Sequence, residues 1–174
     1  MYKILEGLVQ SKEKCSIYNN KNDLSKFYYG NIIAVNEKEF AINRISPDGY
    51  DDGISVMRIE SVIKIELNSQ YIKKMEKLYQ NINLNENVEV GENILESLLK
   101  LSLDNRNIVS VELVDSGYSD VIGIVEKIEG DICRIKQIDD YGNCDGCSCI
   151  KTGDITFLTY MSDSERRLKR LIVQ

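Results

Sequence analysis

Apolar residues along this chain follow two rhythms, one of period two and one near 3.6, and the switches between them mark the elements. Ile94, Leu95, Leu98, Leu99 and Leu101 fall on one helical face, with Asn93 placed to cap it. Ile4-Leu5-Glu6-Gly7-Leu8 repeats that pattern near the N-terminus. Alternating runs follow each helix. Cys15–Tyr18 and Ile108–Val114 predict first strands, and longer runs through Gly30 and Gly123 predict second strands. A glycine inside such a run points to a bend or a close backbone approach. Turns at Asn36-Glu37-Lys38 and Glu129-Gly130-Asp131 lead to third strands carrying Phe40, Ile42 and Ile45, or Ile132, Ile135 and Ile138. Polar loops over 46–53 and 139–146 come next, then pairs of short strands near 54–59 and 62–67, and near 147–151 and 154–160. Each block closes on a helix. Ser162 with Glu165 is a capping box ahead of Leu168, Leu171 and Ile172, and Ile72, Met75, Leu78 and Tyr79 form the matching stripe.

The two blocks are in step. With Gly30 over Gly123, 93 residues apart, Ile42 meets Ile135, Gly49 meets Gly142, Asp52-Gly53 meets Asp145-Gly146, and Ser69 meets Ser162. Upstream, Ile4–Leu8 aligns with Ile94–Leu98 at a spacing of 90, which predicts a three-residue length difference before the first strand. Turn formers, caps and core positions stay in register together, which predicts an internal duplication. The copies are residues 1–82 and 91–174, joined by a polar, Asn-rich linker at 83–90.

A helix, five short antiparallel strands and a closing helix make a mainly β, α+β fold built from two tandem small barrels. The strand order, the glycine in the second strand and the spacing of Gly123, Val125, Ile128 and Ile132 resemble the Sm-like fold, with SH3-like barrels as the alternative. The likeness covers about residues 5–67 and 95–160. The loop Pro47-Asp48-Gly49-Tyr50-Asp51-Asp52-Gly53 also resembles that of uncharacterised small proteins from low-GC bacteria, a likeness that implies no activity. Sm-like proteins often bind RNA, so that resemblance implies an RNA-binding regulator. The residues argue against it. Asn36 stands where the family offers an Asp to a base, Ala41 or Arg134 stands near its Asn, and Ile63-Lys64-Ile65-Glu66 and Thr156-Phe157-Leu158-Thr159 lack its closing basic residue and Gly.

Composition narrows the chemistry. The 174 residues are 43% hydrophobic and 29% charged, a globular balance, and the net charge of −6 opposes nucleic acid and anionic lipid. No apolar run has membrane-spanning length, and the N-terminus lacks a signal-peptide layout, so a cytoplasmic protein without membrane contact is expected. Histidine is absent, which removes Ser-His-Asp and Cys-His nucleophile systems and His-ligated zinc. There is no Gly-rich phosphate loop. The five cysteines are expected to be reduced.

Cys144-Asp145-Gly146-Cys147-Ser148-Cys149 could ligate zinc, with Cys133 as a fourth thiolate. The other block offers a plainer reading. Phe40, Ile54 and Val56 stand where Cys133, Cys147 and Cys149 do, so these cysteines are expected to be buried, small hydrophobes, with Cys147 and Cys149 sharing a strand face. No metal and no cofactor are expected. Arg166-Arg167-Leu168-Lys169-Arg170 reads as the polar side of a terminal helix. The remaining candidates are the loops, where Asp48, Tyr50 and Asp51, and Asp140 and Tyr141, combine acid and aromatic groups suited to protein recognition. A non-enzymatic binding or inhibitory module for another protein, a basic one by charge, is the expectation. Its rivals are the RNA-binding regulator and a small-molecule or nucleotide binder between the copies.

Overall fold

A computed structural model describes residues 1–79 and 93–172. The chain divides into two compact units, Met1–Ile94 and Leu95–Gln174. The proposed linker at 83–90 lies outside the described residues. The protein is mainly β, with antiparallel strands and four helices among the described residues.

The first unit runs α1 (Tyr2–Ser11), β1 (Lys14–Tyr18), β2 (Tyr28–Val35), β3 (Glu39–Ile45), β4 (Asp51–Arg58), a 3-10 turn at Ile59–Ser61, β5 (Lys64–Glu66) and α2 (Gln70–Leu78). The second runs α3 (Ile94–Asn105), β6 (Ile108–Leu113), β7 (Val121–Glu129), β8 (Ile132–Ile138), β9 (Cys144–Lys151), a 3-10 turn at Thr152–Asp154, β10 (Ile155–Tyr160) and α4 (Asp163–Ile172). Within the first unit the strand order is β5-β1-β2-β3-β4, and within the second it is β10-β6-β7-β8-β9. All these ladders are antiparallel.

Two register shifts in each unit recur 93 residues apart, while a further one, between Ile155 and Phe157 in the β6–β10 ladder, has no counterpart in the β1–β5 ladder. The β2–β3 ladder shifts register between Ile32 and Ala34, and the β7–β8 ladder between Val125 and Lys127. A second shift lies between Asn43 and Ile45, and between Lys136 and Ile138. Such bulges bend a strand and sharpen its twist. Gly30 and Gly123 are the close approaches that the sequence predicts: a Cβ on either would lie 2.0 Å from the carbonyl oxygen of Asn43 or Lys136. Asn68 and Met161, each just before a helix-capping Ser, have φ of 52° and 59°. Ser69 caps α2 by accepting the Ile72 amide. Ser162 and Glu165 form the predicted box: the Glu165 carboxylate accepts the Ser162 amide at 2.8 Å, and Ser162 Oγ accepts the Glu165 amide at 3.4 Å.

The first helices are in step at 94, which corrects the spacing of 90. Their left-handed closing residues are Lys12 and Arg106, and the residues opposite Gly30 and Gly123 are Cys15 and Val109. Leu5 then matches Leu99, both at 0% exposure. The likeness of Ile4–Leu8 to Ile94–Leu98 is a coincidence of local sequence. The length difference is one residue, and it sits between the first and second strands.

Helix α1 buries Leu5 and Leu8 and packs on β2, while α2 packs on β1. In the first unit, Ile17, Ile32, Phe40 and Ile42 are buried, as are Val109, Val111, Ile135 and Leu158 in the second. Helix α4 packs on β6.

Candidate functional site

The loop between β3 and β4 is shorter than its sequence suggests. Strand β4 begins at Asp51 and β9 at Cys144, so the connections are residues 46–50 and 139–143. Asp51 pairs with Ile45, and Cys144 with Ile138, inside the ladders. Both connections close the same way. The Ser46 amide donates to the Tyr50 carbonyl and the Gly49 amide to the Ser46 carbonyl, both at 2.9 Å. The Asp139 amide donates to the Asn143 carbonyl at 2.9 Å, and the Gly142 amide to the Asp139 carbonyl at 3.0 Å. Asp139 does more: its Oδ1 accepts the amides of Tyr141 and Asn143 at 2.9 and 2.7 Å. The Asn143 amide heads the hydrogen bonds that hold the Asp139 carboxyl below its ordinary range.

Gly49 and Gly142 bring these tips down onto the last helices. Their φ values are 80° and 84°, and a Cβ would strike the Tyr79 ring at 2.2 Å or Leu171 at 2.8 Å. The tips are thus seated, and they point their aromatic residues outward: Tyr50 is 72% exposed and Tyr141 81%. Asp48 and Asp140 are exposed, and neither makes an ion pair among the described residues. Asp51 differs. It is half-buried, and its Oδ1 accepts the Gly53 amide at 3.0 Å, a structural task inside the ladder. Its neighbour Asp52 holds Arg44, with Nη2 to Oδ2 at 2.8 Å. The sequence reading missed Tyr118, which is 77% exposed in the β6–β7 connection. Its signal was there, an aromatic residue inside the turn-rich string Ser116-Gly117-Tyr118-Ser119-Asp120.

The cysteines split in two, and one expectation is overturned. Cys15 and Cys133 are buried, but Cys144, Cys147 and Cys149 are exposed. The cross-strand partners explain why. Cys147 sits opposite Lys136 and Cys149 opposite Arg134, so their sheet face is charged. Ile54 and Val56 instead sit opposite Asn43 and Ala41. Arg134 Nη2 approaches Cys147 Sγ at 3.7 Å, and Arg134 Nε holds Glu126 at 3.1 Å. Burial pushes the Cys15 thiol to about 12 and that of Cys133 to about 11. Among the described residues, no group of three or more His, Cys, Asp or Glu side chains is placed to hold a metal ion.

Beside the 139–143 tip, α4 and the β6–β7 ladder enclose a half-open cleft of about 290 Å³. Ile122, Leu168 and Leu171 give it an apolar wall, Ser164 lies on its helical side, and Asp140 and Arg167 stand on its lining. Arg167 is paired with Asp163 at 2.6 Å. Glu165 also borders it, but its carboxylate is held inside by Thr159 Oγ1 and the Ser162 amide. Helix α4 carries no candidate residue from the sequence reading, although the tip beside it does.

No family model, no curated protein and no solved structure matches the chain. Among the described residues, no helix is long and apolar enough to cross a membrane.

Proposed function

We propose that this protein is a non-enzymatic module that binds or inhibits another protein through its two acidic, tyrosine-bearing tips. The fold belongs to this reading: two tandem copies of one small Sm-like or SH3-like barrel, each with a helix before and after it. Matching strand orders, bulges and close-approach glycines support the duplication. The observation that carries the function is the pair of seated tips with outward rings, Tyr50 and Tyr141. A preorganised aromatic group loses little conformational freedom on binding, and such groups dominate interface energetics. Asp48 and Asp140 beside them favour a basic partner. Asp51 supports the first tip from within.

Capture from the native cytoplasm, with and without nuclease, tests the reading. A nuclease-resistant protein should be retained by the wild type and lost by Tyr50→Ala/Tyr141→Ala at an unchanged melting temperature. Moderate salt should slow its association. Retention by the double variant, or loss on nuclease treatment, contradicts the proposal.

A further inference from the structure

The cleft beside α4 has a counterpart in the first unit, and there it is full. Tyr29, Ile45, Ile72 and Met75 form a buried cluster, with Phe27, Tyr71 and Tyr79 packed against it. Tyr71 meets Phe27 edge-on at 4.9 Å and Tyr29 edge-on at 5.5 Å. Residues 93 further on are Asp120 for Phe27, Ile122 for Tyr29, Ser164 for Tyr71 and Leu168 for Met75. With Ile172 in place of Tyr79, four rings are gone. Asp120 turns to the β6–β7 connection instead, accepting the Leu113 amide at 2.7 Å and the Ser116 hydroxyl at 2.6 Å. The sheet keeps its register beside the lost volume. Ser16 opposes Tyr29, and Ser110 opposes Ile122, in equivalent ladders, and Gly123 fixes β7 against β8 as Gly30 fixes β2 against β3.

We propose that this cleft is the seat for an aromatic side chain of the partner protein, taking the place that Tyr71 fills in the first unit. The proposal rests on the protein-recognition reading above and names what is recognised: an aromatic residue next to a lysine or arginine. The ring lies on Ile122, Leu168 and Leu171, where its removal from water drives binding. Asp140 supplies the charge preference. Among the described residues it has no ion pair, whereas Arg167 is already paired with Asp163. Tyr141 stands on the same tip as Asp140, so seat and tip form one surface. The space, about 290 Å³, admits a phenol ring and part of the adjoining chain.

The test is a methyl NMR titration of the full chain with p-cresol, then with N-acetyl-Lys-Tyr-amide and N-acetyl-Glu-Tyr-amide. Saturable shifts should appear at Ile122, Leu168 and Leu171. Ser164→Tyr, which restores the ring of the first unit, should weaken p-cresol by about tenfold or more while the protein stays folded. Ile122→Tyr fills the seat from the sheet side and should act alike if the first variant misfolds. The Lys peptide should bind more tightly than the Glu peptide, and Asp140→Asn should narrow that gap. Absence of saturable shifts, shifts that persist in both filled variants, or equal binding of the two peptides overturns the proposal. The outcomes separate from those above: an empty cleft with Tyr50- and Tyr141-dependent capture removes the seat alone. A filled cleft with capture indifferent to those tyrosines removes the tips alone.

Discussion

In the first unit the seam between α2 and the sheet is closed by rings, with Phe27, Tyr71 and Tyr29 in edge-to-face sequence over Ile72 and Met75. In the second unit the corresponding seam, under α4, holds Ile122, Leu168 and a serine, and it stands open. Several backbone devices nonetheless recur in both: two bulges, a glycine pressed on a carbonyl, and a Ser cap. Main-chain geometry here is set by turns, bulges and caps, which depend on a few residues. Side-chain volume is set elsewhere and varies without moving them. A lost ring therefore leaves a cleft and not a rearranged sheet. The β3–β4 and β8–β9 faces teach the same point through charge. Ala41 and Asn43 face Val56 and Ile54 in one unit, while Arg134 and Lys136 face Cys149 and Cys147 in the other.

The largest expected effects fall where the units agree. Gly30→Ala and Gly123→Ala each place a Cβ 2.0 Å from a backbone oxygen. Each should cost about 3 kcal/mol or more in denaturant unfolding. If one is tolerated, the two backbones differ where they are held to agree. The seams should then diverge. Met75, at 1% exposure, should cost about 2–5 kcal/mol on truncation to Ala. Leu168 lines the open cleft and should cost less than half as much. Equal costs would mean that the second seam is as well filled as the first.

Smaller effects sharpen the contrast. Among the described residues, the hydroxyl of buried Tyr29 has no hydrogen-bond partner, and burial first of all pushes its pKa up. Tyr29→Phe should leave stability unchanged or raise it by about 1 kcal/mol; a clear loss would reveal a partner for the hydroxyl. The thiols divide by exposure. A thiol reagent should modify Cys144, Cys147 and Cys149 quickly in the native protein and reach Cys15 and Cys133 only on unfolding. Rapid native modification of Cys15 or Cys133 would contradict the burial described. The pH effect has a definite sign. Both buried thiols keep their protons in the folded state above the ordinary value of 9.0. Their contribution to stability is therefore complete below about pH 9 and is lost as pH rises through about 11 and then about 12. Cys133→Ala should flatten the alkaline fall in the melting temperature, and an unchanged slope would show that other groups cause it.

Much of the backbone was legible in the sequence because it rests on residues with few conformational alternatives. Gly30, Gly123, Gly49, Gly142 and the Ser162–Glu165 box mark their elements by type and spacing. Strand starts were less legible. Asp51 and Cys144 look like loop residues, yet they pair across bulges, and no residue type announces a bulge in advance. The exposure of Cys147 and Cys149 could have been read from Arg134 and Lys136 alternating on the neighbouring strand. Of the candidate site, the outward tyrosines followed from turn chemistry. The cleft did not, because a cavity is a deficit of volume among residues distant in sequence. Only the match of Tyr71 to Ser164 and of Tyr29 to Ile122 hints at it.

The most direct test exchanges the two seams. In methyl NMR with p-cresol, wild-type protein should shift at Leu168 and Leu171 and stay silent at Ile72 and Met75. In the reciprocal variant Tyr71→Ser/Ser164→Tyr, the shifts should leave the second unit and appear at Ile72 and Met75. Probe binding that stays beside α4 in that variant, or that touches both seams of the wild type alike, would contradict the account.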